Sequence, residues 1–288
     1  MSTKIIMIRH GYSVSNDLRF FTGQTDIELT DKGREQARLC GEYFGTWNCC
    51  SACGKKCTEK IWDNGISRVD AIYSSDLSRA YDTALEVGKV LGMNVEKSRE
   101  LREIYAGRWE MMPFVEIDEK YPDEYSVWKN DIGRAVCTGG DSVASLAQRI
   151  EREVRYIAVR HDGGTVVIVT HATPIRVICT LAKGLPSCEM GSVPWVSNAS
   201  ISIFEFDGNF KAIRTNITTH LGDLKTDLPR GVRYPSNYDC IIYKFGIYAE
   251  QFSQYAERGK TWRKIILKGG CTYSRHFFFW EFSWSILS

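Results

Sequence analysis

The stretch Lys4-Ile5-Ile6-Met7-Ile8 runs almost wholly apolar and then stops on Arg9-His10-Gly11. A short apolar run closed by a glycine reads as a strand buried on both faces, as in a parallel sheet covered by helices. Ligands of open α/β sheets sit just outside the carboxyl ends of such strands. Arg9 and His10 therefore stand where a ligand would bind, and Gly11 lets the backbone turn sharply and approach it closely. On this reading His10 is a candidate nucleophile and Arg9 part of an anion pocket.

The following pattern is that of alternating helices and strands. Thr30 has the position of an N-cap, and Gly33, Ala37, Leu39, Cys40, Tyr43 and Phe44 follow at helical spacing up to Gly45. Val69-Asp70-Ala71-Ile72-Tyr73-Ser74-Ser75 reads as a second strand, with a helix over 77–91, a stop at Gly92 and a short strand over 94–96. Residues 99–136 are loop and helix, with an aromatic-rich helical piece from about Tyr121 to Trp128. A long amphipathic helix is expected from Gly139-Gly140-Asp141-Ser142 through Val159, stopped by Gly163-Gly164. Thr165-Val166-Val167-Ile168-Val169 is a β-branched run, hence another buried strand, and it too leads to a histidine, His171. Thr173-Pro174 puts proline in the first turn of the next helix. Residues 200–206 and 211–214 around Gly208-Asn209 read as a β-hairpin. The expected fold is α/β, a three-layer α/β/α sandwich with a mostly parallel central sheet.

A chain of 288 residues accommodates one large α/β domain, or one domain and an appendage. Its formal net charge of +2 argues against nucleic-acid and membrane partners, and no apolar run approaches the roughly 20 residues of a membrane span. The N-terminus shows no signal-peptide pattern, so a cytoplasmic location is expected. Of ten cysteines, Cys40, Cys137, Cys179, Cys188, Cys240 and Cys271 are scattered and read as buried or idle thiols. Cys49, Cys50, Cys53 and Cys57 cluster in residues 46–67, where no period is visible and a surface-loop insertion is expected. Structural zinc sites usually draw ligand pairs from two separated segments. A loop without metal is therefore preferred, with a zinc site on these four thiolates as the alternative.

Two histidines at the ends of two core strands can face one pocket, and the helix opening near Ala172 directs free N–H groups and its positive dipole end there. Such a site suits an anion, above all a phosphomonoester with about two negative charges, which guanidinium groups bind as a planar fork. Arg9 supplies one fork and Arg79, just past the second strand, a second. Phosphoryl transfer to His10 needs a proton for the departing alkoxide, and Glu103 is the candidate acid, with Glu100 and Glu110 as competitors. No paired-histidine metal motif and no Walker-type loop is present.

These residues resemble the histidine phosphatase superfamily, which includes the cofactor-dependent phosphoglycerate mutases. The resemblance covers residues 4 to about 220. It rests on Arg9-His10-Gly11 with Asn16, the segment over 22–37, and Tyr73-Ser74-Ser75-Asp76-Leu77-Ser78-Arg79-Ala80. Leu101-Arg102-Glu103 with Gly107-Arg108-Trp109-Glu110, and Thr170-His171-Ala172-Thr173-Pro174-Ile175-Arg176, complete it. It implies a phosphoglycerate mutase-like fold with no cofactor, His10 as phosphohistidine nucleophile and Glu103 as proton donor. Arg9, Arg79 and His171 would hold the phosphoryl group. Asn16, Gln24 and the Gly23 and Ala172 backbone amides would add phosphate contacts. Tyr12 stands where the family usually has Glu or Gln, and Ala172 where glycine is common.

After the acid loop the chain runs Met111-Met112-Pro113-Phe114-Val115-Glu116, without the basic segment by which mutases grip a second phosphate. The expected activity is hydrolysis of a small phosphomonoester. Phosphoryl transfer of the mutase type and a non-catalytic phospho-ligand module are the alternatives; intact His10 and Arg9 weigh against the module. The domain is expected over 1–222. An extension over 223–288 lies outside the resemblance, with a linker at Pro229, Gly231 and Pro235, a basic amphipathic helix over 248–266 and an aromatic end over 276–284.

Overall fold

The computed structural model describes residues 1–45 and 68–226. The Cys49/Cys50/Cys53/Cys57 cluster, Cys240, Cys271, the linker and the two features expected in the extension lie outside the described residues. By backbone proximity the described residues all fall in the first of two units, Met1–Gly231.

Among the described residues, six strands build the central sheet: β1 (Thr3–Arg9), β3 (Ala71–Ser75), β4 (Val95–Ser98), β6 (Thr165–Thr170), β7 (Ile201–Phe206) and β8 (Phe210–Ile217). Their order is β4-β3-β6-β1-β7-β8. The first four run parallel, and β7 and β8 continue antiparallel. Side chains alternate across the sheet, so Ile5, Met7, Val166 and Ile168 enter one core, and Ile6, Ile8, Val167 and Val169 the other. Because both faces are covered, β1 and β6 carry apolar residues at nearly every position rather than at every second one.

Helices α2 (Asp31–Gly45) and α3 (Ser78–Leu91) cover one face through Cys40, Phe44, Ala80, Ala84 and Val87. Helices α6 (Val143–Arg160) and α7 (Ala172–Ala182) cover the other. On α6 the buried positions Leu146, Ile150, Val154 and Ile157 recur at helical spacing, and Ser142 caps it by accepting the Ser145 N–H at 3.0 Å. Thr30 caps α2 in the same way, accepting the Gly33 N–H at 3.1 Å. The expected three-layer sandwich is therefore present.

The boundaries differ in three places. The second strand starts at Ala71 rather than Val69, and the short third strand runs on to Ser98. The aromatic piece expected from Tyr121 to Trp128 is one helix, α5 (Pro122–Asn130), and a further helix, α4 (Phe114–Lys120), precedes it and stops there because Pro122 has no N–H to continue it and instead opens α5. A short ribbon of β2 (Phe20–Phe21) and β5 (Met112–Pro113) joins this region to the segment after α1 (Val14–Leu18). Beneath it Trp109, fully buried, packs edge-on against Phe21 (5.4 Å), Tyr125 (5.9 Å) and Trp128 (6.2 Å).

Cys40, Cys137 and Cys179 are buried, and Cys188 is half-buried; burial pushes the Cys40 thiol up to about 12. No described helix is long and apolar enough to cross a membrane. Past the expected domain limit, the Leu224 carbonyl accepts from Gln36 Nε2 at 2.7 Å and Thr226 Oγ1 bonds to Asn198, so residues 224–226 pack with the first unit.

Candidate active site

Arg9 is level with Thr170 across β1 and β6, so the next residues, His10 and His171, leave the sheet side by side. Their ring centroids are 5.1 Å apart, close to the spacing of neighbouring strands. On the far side of β6, Ser75 at the end of β3 brings its Oγ to 2.9 Å from His171 Nε2. Gly11 is required by a close approach to protein rather than to ligand, since a Cβ there would overlap the Gly33 carbonyl in the first turn of α2.

His10 Nδ1 lies 2.7 Å from the Gly11 carbonyl oxygen. A carbonyl only accepts, so Nδ1 carries the hydrogen and Nε2 the lone pair. Burial, followed by the charges of Arg79 and Arg9, holds this imidazole well below its usual pKa, so the ring is neutral at pH 7. His171 is held down first by burial and then by Arg79. Ser75 Oγ accepts the Leu77 N–H at 3.4 Å, and its own hydrogen can go to His171 Nε2. That tautomer makes His171 Nδ1 a donor, and this atom is buried with no partner among the described residues.

Two guanidinium groups share the pocket. Arg9 Nη1 donates to the Val196 carbonyl at 2.6 Å, while its Nε is buried and unpartnered among the described residues. Arg79 donates to the Thr25 and Gly23 carbonyls at 3.0 and 2.7 Å. Burial lowers each to about 10, against the opposing charge of Glu103, and both remain cations at neutral pH. The arrangement is electropositive and desolvated, which strengthens its pull on an anion.

The three candidate acids are separated by their partners. Glu100 faces solvent and pairs with Arg152 at 2.8 Å. Glu110 is consumed by five donors: the N–H groups of Gly23, Gln24, Thr25 and Ala106 and the Thr25 hydroxyl, at 2.7–3.2 Å. Glu103, 8% exposed, accepts from the Ile104 N–H at 2.8 Å and from the Thr173 N–H, in the first turn of α7, at 3.2 Å. Arg149 of α6 fixes this loop by donating to the Glu100, Arg102 and Glu103 carbonyls.

One expected phosphate contact, the Gly23 N–H, is not available in this geometry. The Gly23 N–H is turned to Glu110 at 3.1 Å, and a Cβ at Gly23 would collide with the Ile104 carbonyl. Gln24 spends its N–H on Glu110 and one of its two Nε2 hydrogens on the Glu103 carbonyl at 3.2 Å. Both residues shape the loop, and Gln24 Nε2 keeps a second hydrogen. Asn16 and Ala172 do keep donors. Asn16 Oδ1 takes hydrogen bonds from Ser13 N, Ser13 Oγ and Asn198 Nδ2, which leaves its own Nδ2 without a partner among the described residues. At Tyr12 the backbone is tied to Gln36 and Thr30, and Lys32 Nζ lies 5.4 Å from the ring centroid.

Several supporting residues escaped sequence reasoning. Ser75 orients His171, Thr83 Oγ1 accepts the Gly11 N–H at 3.0 Å, and Asn198 reaches the His10 and Gly11 carbonyls at 3.3 Å. Ser75 stands at a strand end, as Arg9 does, and that position was its signal. Asn198 sits in a turn with no period, and nothing local marks it.

A family sequence model described as histidine phosphatase superfamily (branch 1) matches residues 5–51 and 63–218. Phosphoserine phosphatase 1 of Hydrogenobacter thermophilus is 29% identical over 230 residues, 80% of this chain and 99% of that protein. A metal-independent phosphoserine phosphatase of Arabidopsis thaliana is 30% identical over 205 residues, covering 70% and 75% respectively. Among solved structures, a mycobacterial glucosyl-3-phosphoglycerate phosphatase in complex with VO3 aligns with a TM-score of 0.63 at 26% identity, over 75% of this chain and 99% of that one. With this sheet, these strand-end histidines and these relatives, the chain belongs to branch 1 of the histidine phosphatase superfamily and is a phosphoric monoester hydrolase.

Proposed function

We propose that the protein hydrolyses a small phosphorylated metabolite through a phosphohistidine on His10, without a metal ion and in the cytoplasm. The observation that carries this reading is the Nδ1 hydrogen bond of His10 to the Gly11 carbonyl, which leaves a neutral Nε2 lone pair between two arginines. Arg9, Arg79, His171, Asn16 Nδ2 and the Ala172 N–H would hold the phosphoryl oxygens. The Nε2 lone pair attacks phosphorus, the P–O bond to the alcohol breaks, and Glu103 gives its proton to the departing oxygen. The Glu103 carboxylate then takes a proton from water as that oxygen attacks phosphorus, the P–N bond breaks and the electron pair returns to Nε2.

The relatives named for phosphoserine and glucosyl-3-phosphoglycerate support a small, polar substrate and water as the acceptor. An aryl phosphate assayed in EDTA tests the reading. Wild type should turn over and yield an acid-labile phosphoenzyme, and His10→Ala should lose at least about a thousandfold in kcat. Activity that requires metal, or that survives in His10→Ala, would falsify it; phosphate binding without turnover would favour a binding module.

A further inference from the structure

Asn198 lies in the turn that precedes β7 and is 3% exposed. Its Nδ2 faces three acceptors: Asn16 Oδ1 at 3.0 Å and the His10 and Gly11 carbonyls at 3.3 Å. Its Oδ1 accepts from Thr226 Oγ1 at 3.3 Å, and the same Oγ1 accepts the Asn198 backbone N–H at 3.1 Å. A flipped amide would set its oxygen against three other oxygens, so the orientation is fixed from both sides. Two features of the pocket hang on it. Asn16 Oδ1 is saturated, so its Nδ2 is the end left for a ligand. The Gly11 carbonyl, which dictates the His10 tautomer, is the same atom that Asn198 braces.

We propose that Asn198, anchored by Thr226, is a positioning residue of this reaction. It turns the Asn16 amide so that Nδ2 faces the phosphoryl group, and it holds the Gly11 carbonyl in place for His10. It touches neither the phosphoryl group nor the reacting nitrogen. The inference rests on the phosphohistidine reading above. Its effect belongs to the transition state, where misplacement of a group by about 1 Å can cost a hundredfold.

The test compares Asn198→Ala, Asn198→Asp, Thr226→Val and Thr226→Ser in the full chain, with an aryl phosphate, by rapid-quench measurement of phosphoenzyme formation. Melting temperatures are recorded alongside. Asn198→Ala should slow His10 phosphorylation by about ten- to a hundredfold with KM nearly unchanged, and Asn198→Asp at least as much. Thr226→Val should show a smaller loss of the same kind, which Thr226→Ser restores. In the Asn16→Ala background the loss from Asn198→Ala should shrink to a few-fold, because the amide it orients is gone. Phosphorylation at the wild-type rate in folded Asn198→Ala, or in Thr226→Val if the former does not fold, overturns the proposal. So does full additivity with Asn16→Ala. If instead wild type forms no phosphoenzyme, it is the phosphohistidine reading that fails.

Discussion

Arg79 and Glu110 grip one short loop from opposite polarities. The guanidinium takes the carbonyls of Gly23 and Thr25, and the carboxylate takes the N–H groups of Gly23, Gln24 and Thr25. The loop is thereby fixed around Arg79, and in the proposed reaction this guanidinium would need no reorganisation as charge moves on the phosphoryl group.

Glu110→Gln should therefore damage both stability and turnover. An amide has one acceptor oxygen where the carboxylate has two, and its NH2 would face N–H donors. A loss of about 2–3 kcal/mol is expected, read as a lowered denaturation midpoint, with kcat reduced about tenfold or more. A variant as stable as wild type would show that the clamp is dispensable.

Glu103→Gln keeps the shape of the carboxyl but has no proton to give. Substrates with alkyl leaving groups should lose about a hundredfold or more in the phosphorylation step, whereas an aryl phosphate with an acidic phenol should lose far less. Equal losses for both substrate classes would remove Glu103 from the role of acid.

Acid stability should depend on histidines that fold in their neutral form. Burial lowers His10 and His171 well below 6.5 and His220 to about 4, with a hydrogen bond to Ala199 opposing the shift in His220. As pH falls through 6.5 the unfolded chain binds these protons and the folded one does not. Their contribution is therefore complete above about pH 6.5 and is lost on acidification, down through about pH 4 for His220. His220→Gln keeps a donor for the Ala199 carbonyl and should flatten the pH dependence of unfolding by at most about 3 kcal/mol across that window. An unchanged slope in denaturant titrations between pH 7 and 4 would contradict this.

Gly23→Ala should be poorly tolerated although the new methyl is small. It would have to displace the Ile104 carbonyl and the Glu110 carboxylate, at a cost of about 1–3 kcal/mol. Circular dichroism melts and turnover of an aryl phosphate would both register it.

The parts of this site visible in the sequence are those tied to a strand or helix period. Arg9, His10 and His171 stand at the ends of apolar runs, Arg79 opens a helix, and the covered faces of β1 and β6 follow from their unbroken hydrophobicity. Hydrogen-bond partners carry no such period. Gly23 and Gln24 belong to the expected motif, yet their donors go to Glu110, a residue 86 or 87 positions away along the chain. Asn198 meets His10 across 188 residues, and Thr226 completes its anchoring from a segment assigned in advance to an extension. Glu103 could not be separated from Glu100 and Glu110 by chemistry alone, because what divides them is which donors the folded loop places around each.

β1 is paired in parallel with β6 on one side and antiparallel with β7 on the other. Both neighbours of this strand, which leads to His10, lie roughly 160 to 200 residues further along the chain. Contacts of such long range are slow to form. Until β6 and β7 dock, His10 has neither His171 beside it nor Val196 to hold Arg9, and β1 exposes two unpaired hydrophobic edges. On the proposed mechanism, catalytic competence and closure of the sheet around β1 should therefore arrive together during refolding, with no partly folded species able to turn over an aryl phosphate.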